Sequence, residues 1–103
     1  MADSRKQISI PMNENIKLNE AQKQFELNTP EGLALIAYEL DGSTMSVMHT
    51  EVPEASEGKG IGSALAEFAL NYARDNKLKV KVYCKFVLAY LKRHPQYQDL
   101  ITN

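Results

Sequence analysis

The chain has 103 residues, a formal net charge of −1 and one cysteine, Cys84. That length predicts one domain of modest core over residues 1–103, and the near-neutral charge gives no pull toward nucleic acid or an anionic membrane. A lone thiol excludes an intramolecular disulfide and a multi-thiolate metal centre, and fits a reducing, cytoplasmic setting; His49 and His94 are too few and too far apart for zinc, so no metal site is expected.

Residues 1–15 are polar and read as an irregular start; Arg5 and Lys6 precede no apolar stretch, so no signal peptide is expected. Residues 16–28 are ambiguous. Leu18, Ala21, Gln22 and Phe25 fit a helix, whereas Phe25 and Leu27 alternate as in a strand. The turn chemistry of Thr29-Pro30-Glu31-Gly32 favours a strand over residues 24–28. Residues 33–40 are apolar at nearly every position, as in a strand buried on both faces. Asp41-Gly42 signals a hairpin, and residues 44–52 form the returning strand, giving an antiparallel meander.

Next comes Glu57-Gly58-Lys59-Gly60-Ile61-Gly62-Ser63, which opens a helix over residues 61–76. A glycine-rich turn at a helix start presents unpaired N–H groups at the positive end of the helix dipole, a ready seat for a phosphate or pyrophosphate. The same glycines could also serve only as a tight turn. Two phosphate motifs are excluded. The dinucleotide fingerprint wants glycine or alanine where Ser63 stands, and the P-loop wants Lys followed by Ser or Thr, whereas Lys59 is followed by Gly60. In the helix, Ile61, Ala64, Leu65, Phe68, Ala69, Tyr72 and Ala73 form one stripe, with Glu67, Asn71, Arg74 and Asp75 opposite.

Val80 and Val82 alternate with Lys79 and Lys81 in a short strand. The helix before it makes a crossover, so this strand should run parallel to residues 44–52. Residues 86–94 read as a second helix stopped by Pro95, and residues 97–101 as a short turn packed on the sheet. The expected fold is α/β in the α+β sense: a mixed sheet with an antiparallel N-terminal meander, a βαβ crossover through the glycine-loop helix, and a short C-terminal helix.

Val52-Pro53, a polar loop, Gly58-Lys59-Gly60-Ile61-Gly62 and an Ala/Leu-rich helix resemble motif A of the GCN5-related N-acetyltransferases. The family pattern is Gln/Arg-x-x-Gly-x-Gly/Ala; Gly60 and Gly62 match its glycines, and Glu57 departs from its first position. The chain is more closely similar to the very small acetyltransferase-like members. The shared signatures are His49-Thr50-Glu51-Val52, Glu57 to Gly62, Cys84-Lys85-Phe86-Val87 and His94-Pro95-Gln96-Tyr97, and the resemblance runs from about Phe25 to Leu100. It implies acetyl-CoA as co-substrate and an amine acceptor, small molecule or protein. The pyrophosphate would lie on the loop Glu57, Gly58, Lys59, Gly60, Ile61, Gly62 and Ser63. The pantetheine would lie between the two parallel strands, near the backbone of Glu51 and Val52. Glu57, as an anion, is expected to turn its side chain away and offer only its N–H. The chain has little room for the helices that follow the first strand in larger members, and no strand pair after Tyr97.

Acetyl transfer to an amine needs a neutral amine, a stabilised oxyanion and a proton for the departing thiolate. Tyr90 stands where many family members carry a tyrosine acid; its other reading is core, with Phe86, Val87 and Leu91. Cys84, on the face of Val80 and Val82, could accept acetyl covalently, favoured as thiolate by Lys85 and the helix start, or be an inert buried cysteine. His49 and Glu51, alternating with Val47, share its face and could take the amine proton, or be a structural histidine and a solvated strand end. A binding module for CoA without turnover is the alternative function. A small RNA-associated domain is a third, against which the net charge counts.

Overall fold

The computed structural model describes residues 15–103, so the irregular start expected for residues 1–15 lies, its last position apart, outside the described residues. In β2 (Gln24–Thr29) Phe25 and Leu27 are buried on one face while Glu26 and Asn28 take the other. The same period of two runs through β3 (Gly32–Asp41), which buries Ala34, Ile36 and Tyr38. Leu33, on the opposite face, is exposed. The apolar run was expected to be covered on both sides; among the described residues only one side is. A two-residue loop, Gly42-Ser43, with Gly42 at φ 60, returns the chain into β4 (Thr44–Glu51).

A short strand, β1 (Lys17–Asn19), pairs antiparallel with β2, where the sequence was ambiguous between helix and strand. Three residues are too few to display alternation, and the Asn19 side chain, accepting the Gln22 N–H at 3.1 Å, closes the turn that follows.

The remaining elements follow expectation closely: α1 (Ile61–Asp75), β5 (Lys79–Val82) and α2 (Lys85–Arg93). The sheet order is β1-β2-β3-β4-β5, and β5 runs parallel to β4, with Met45 opposite Val80 and Val47 opposite Val82. Both helices pack on the face carrying Phe25, Ile36, Val47 and Val82. Phe25 anchors that core, its ring 5.4 Å from Tyr72 and 5.8 Å from Phe68 of α1. The buried face of α1 is wider than the stripe in the sequence: Ala66 and Leu70 are also fully buried, because α1 packs against α2 and the C-terminal segment as well as the sheet.

After Pro95 the chain forms a 3₁₀ segment, Pro95–Leu100, and Ile101 then makes a single parallel bridge to Val80. The Asn103 side chain finishes the edge of β5: its Oδ1 accepts the Val82 N–H at 2.8 Å and its Nδ2 donates to the Val82 carbonyl at 2.9 Å. Arg74 holds this segment by donating to both oxygens of Asp99, at 2.9 and 3.0 Å, and to the Gln96 carbonyl at 2.8 Å. No helix among the described residues is long and apolar enough to cross a membrane.

Candidate active site

β4 and β5 begin side by side and then part. Their last shared hydrogen bond runs from the Tyr83 N–H to the Val47 carbonyl, at 2.9 Å. Just past it β4 carries a bulge: Tyr38 of β3 faces Val47 and Ala37 faces His49, leaving Met48 unpaired. A bulge inserts one residue and so reverses which later side chains face the core. Thr50, opposite the buried Ile36, therefore points to the helix side, and His49 and Glu51 point to the other.

This corrects the expectation that His49 and Glu51 share the face of Val47. They lie on the exposed side of the sheet, His49 Nε2 and Glu51 Oε2 being 3.1 Å apart. Thr50 occupies the inward position instead. Its Oγ1 lies 3.2 Å from Cys84 Sγ, bridging the two strands where their backbones separate. Alternation counted from Val47 could not have found Thr50, because no local signal marks the bulge.

From Val52-Pro53 the chain makes a 3₁₀ turn, Glu54–Ser56, and then the glycine loop. Gly58 and Gly60 have φ of 86 and 81, left-handed values that side chains with a Cβ disfavour. A Cβ at either would meet nothing within 4 Å, so backbone conformation and not crowding demands glycine there. Gly60 is the N-cap of α1, and the first helical bond is from the Ala64 N–H to its carbonyl, at 3.0 Å. Among the described residues nothing accepts from the N–H groups of Gly58, Lys59, Gly60, Ile61, Gly62 or Ser63. The Glu57 N–H, expected to join that row, is spent on the Glu54 carbonyl at 3.2 Å, so the free row begins at Gly58.

Of these residues Gly58, Gly60, Ile61, Gly62 and Ser63 line a cleft of about 450 Å³. Its floor runs from Thr50 and Val52 past Ser56 to Gly58, Gly60, Ile61, Gly62 and Ser63, and Phe86 of α2 forms a wall. Glu57 also lines it, whereas Lys59 faces a neighbouring depression with Leu27, Thr29 and Pro30. A row of donors at one end and a hydroxyl with apolar walls at the other suits an elongated ligand that is anionic at one end and less polar at the other.

The four candidates for chemistry do not line this cleft. Cys84 is buried behind Thr50 as the N-cap residue of α2, its thiol making no cap bond and so free to meet Thr50. Tyr90 is buried as well. Its ring stacks on His94, the centroids 3.9 Å apart, and tilts against Tyr97. Burial, with smaller contributions from Tyr97 and Glu67, pushes its phenol up to about 12. Tyr90 thus has the surroundings of a core residue, and its proton is harder to release than that of a free phenol. Phe86 and Ser56, which do line the cleft, carried no catalytic signal in the sequence.

The profile of the GCN5-related N-acetyl-transferases matches residues 24–100, from the start of β2 to the end of the 3₁₀ segment. The chain belongs to this family. Protein NATD1 of Danio rerio is 32% identical over 93 residues, covering 85% of this chain and 84% of its own. Protein NATD1 of Homo sapiens is 33% identical over 88 residues, covering 82% and 78%. The NMR solution structure of a GCN5-like protein from Staphylococcus aureus superimposes with a TM-score of 0.69 at 30% identity, covering 88% of this chain and 90% of that one. Over the described residues the mixed five-stranded sheet with few helices is therefore a small GCN5-related N-acetyltransferase fold, and acetyl transfer is the general chemistry of its family. Within that frame the glycine loop, the parting of β4 and β5, and Thr50 are the parts of this chain that converge on one cleft.

Proposed function

We propose that the protein transfers an acetyl group from acetyl-CoA to an amine. The observation that carries this reading is the row of amides from Gly58 to Ser63, without an acceptor among the described residues, beside a cleft that runs to the parting of β4 and β5. Those amides and the α1 dipole would hold the pyrophosphate. Val52 and the wall of Phe86 would flank the pantetheine, and Thr50 would stand nearest the acetyl end. Acetyl-CoA supplies an activated thioester carbonyl; the protein binds it, orients it and keeps the reacting end between Thr50 and solvent.

A second reading is a CoA-binding module with weak turnover or none. It is favoured by one specific observation: Cys84, Tyr90, His49 and Glu51 all lie outside the cleft wall. The acceptor, small amine or protein amine, follows from the chemistry of the family and not from any contact seen in this chain.

The test is an NMR titration followed by an amine screen. Acetyl-CoA and desulfo-CoA should perturb the amides of Gly58 to Ser63 most strongly, since both carry the pyrophosphate. Shifts clustered elsewhere, or none at millimolar ligand, would overturn the reading. Gly60→Val, which forces a β-branched residue into the left-handed region, should weaken binding at least tenfold in a folded protein. Amine-dependent release of free CoA then separates the transferase from the binding module.

A further inference from the structure

Among the described residues Ser56 is the buried polar side chain, 1% exposed, and it lies in the floor of the cleft. Its hydroxyl donates to Glu31 Oε1 at 2.6 Å and lies 3.4 Å from Thr29 Oγ1. Both partners belong to the turn between β2 and β3. That turn is braced from within: Thr29 Oγ1 donates to the Gly32 carbonyl at 2.7 Å and accepts the Glu31 N–H at 3.2 Å. It meets the other end of the 3₁₀ turn too, since a Cβ at Gly32 would stand 3.5 Å from Pro53 Cγ. The hairpin therefore grips the segment from Pro53 to Ser56 at both ends.

The loop that follows is exposed from Glu57 to Gly60, and its far end is fixed by the buried Ile61 and by Gly62 against Phe86. Two of its glycines adopt left-handed φ, and among the described residues nothing accepts from the N–H groups of Gly58 to Ser63. Glycine loses more backbone freedom on ordering than any other residue, so a loop of this kind needs an outside tether to stay in one conformation. We infer that the β2–β3 turn is a working part of the anion site, with Glu31 acting through Ser56 as the positioning residue that keeps the amides of Gly58 to Ser63 turned into the cleft. The inference rests on the acetyl-CoA reading above. The Ser56 bond, with Lys59 assisting, holds the Glu31 carboxyl below its ordinary range, so Glu31 is an anion and a strong acceptor at neutral pH. Lys59 lines the depression beside Thr29 and Pro30, on the hairpin side and outside the cleft. The carboxylate thus sits among groups that suit it and does not line the cleft where the pyrophosphate would lie.

The roles of the two partners are unequal. Ser56→Ala removes donor and tether together. Glu31→Ala removes the acceptor and leaves a buried hydroxyl with only Thr29 at 3.4 Å, the costlier outcome. Glu31→Gln retains an oxygen that can accept from Ser56 and removes only the charge. If the tether keeps most molecules in the receiving conformation, its loss lowers that fraction and raises the apparent Kd in proportion, by roughly 3- to 10-fold.

Two measurements test this on the full chain. Backbone ¹⁵N order parameters of Gly58 to Ile61 report the loop without ligand, and calorimetric titration with acetyl-CoA reports affinity. Glu31→Ala and Ser56→Ala should lower the order parameters and weaken acetyl-CoA by roughly 3- to 10-fold, while Leu65 and Ala69 stay as rigid as before. Glu31→Gln should stay within about twofold of wild type, and the Glu31→Ala/Ser56→Ala double variant should be no worse than the poorer single one. Acetyl-CoA binding with unchanged loop and affinity in both alanine variants overturns the inference and leaves the acetyl-CoA reading standing. So does a Glu31→Gln variant as impaired as Glu31→Ala, or a loss of affinity that only tracks a loss of rigidity at Leu65 and Ala69. A wild-type protein that ignores acetyl-CoA, but whose loop loosens in the alanine variants, sinks the acetyl-CoA reading and leaves the tether in place.

Discussion

Gly62 and Phe86 touch across the mouth of the cleft, so closely that a Cβ at position 62 would stand 2.7 Å from Phe86 Cζ. Gly62 therefore differs in purpose from Gly58 and Gly60, whose left-handed φ requires glycine for conformation. At position 62 the absent side chain lets α2 bring an aromatic ring against the first turn of α1. That ring is a wall of the proposed ligand cleft.

Gly62→Ala should change binding more than stability. Alanine in a helix recovers up to about 1 kcal/mol of backbone entropy relative to glycine. The partly exposed end of the Phe86 ring can swing aside, which limits the overpacking cost to about that size or a little more. The melting temperature should therefore move by only a few degrees, while displacement of the cleft wall should weaken acetyl-CoA several-fold. In the Gly62→Ala/Phe86→Ala pair the clash vanishes, so the second change should cost less than it does alone. Strict additivity of the two would count against the contact.

The relation between Thr50 and Cys84 decides between covalent and direct transfer. Thr50 lines the cleft, and Cys84 lies behind it, 3.2 Å away. A ping-pong route needs an acetylated protein before acceptor is added, whereas direct attack needs none. The expected outcome is direct attack: no acetyl adduct by intact mass with acetyl-CoA alone, and Cys84→Ser turnover within a few-fold of wild type. A small thiol reagent should label Cys84 slowly, and Thr50→Ala should speed that labelling roughly tenfold by removing the group in front. Acetyl-CoA should protect the thiol in both. Trapping an adduct on the sole cysteine would reinstate the covalent route.

Tyr90→Phe addresses proton supply. The family resemblance suggests a tyrosine acid at this position, which would predict a rate loss of roughly 10²-fold. The ring is instead stacked on His94 and tilted against Tyr97, outside the cleft wall, with its phenol pushed up to about 12 by burial. A saturating assay should find turnover within about threefold of wild type. A hundredfold loss with unchanged acetyl-CoA affinity would mean that Tyr90 reaches the departing thiolate after all.

How far the sequence could be read tracks how local each requirement is. Gly58 and Gly60 answer to their own φ, and Pro95 and the Asp41-Gly42 turn to their own residue chemistry, so these were legible. The crossover helix fixed the parallel pairing of β4 and β5 by topology alone. The bulge at Met48 was not legible, because it arises from how β4 pairs with β3, and nothing in Val47-Met48-His49-Thr50 announces it. One unread residue put His49 and Glu51 on the wrong face and hid Thr50. Ser56 escaped for a similar reason: its partner, Glu31, lies 25 positions away in the β2–β3 hairpin. Arg74 belonged to the polar side of the α1 stripe, yet its contact with Asp99 fastens the C-terminal segment.

That contact sets an expectation in acid. Hydrogen bonds from Arg74 hold the Asp99 carboxyl below its ordinary value of 3.8. A carboxyl lowered on folding adds stability above its unfolded value, and that stability is lost as pH falls through 3.8 toward the lower folded value. Both side chains are well exposed, so the gain is small and screened by salt. Asp99→Asn should lower the melting temperature at pH 7 by no more than a few degrees. The gap to wild type should narrow as pH drops below about 4, and shrink again in molar salt. Glu31, lowered from 4.5 chiefly by its bond from Ser56, titrates in an overlapping window. The clean comparison is therefore Asp99→Asn against wild type in a Glu31→Gln background. A gap that stays constant from pH 7 to pH 2, or widens in acid, would show that the Arg74 contact with Asp99 does not carry this part of the pH dependence.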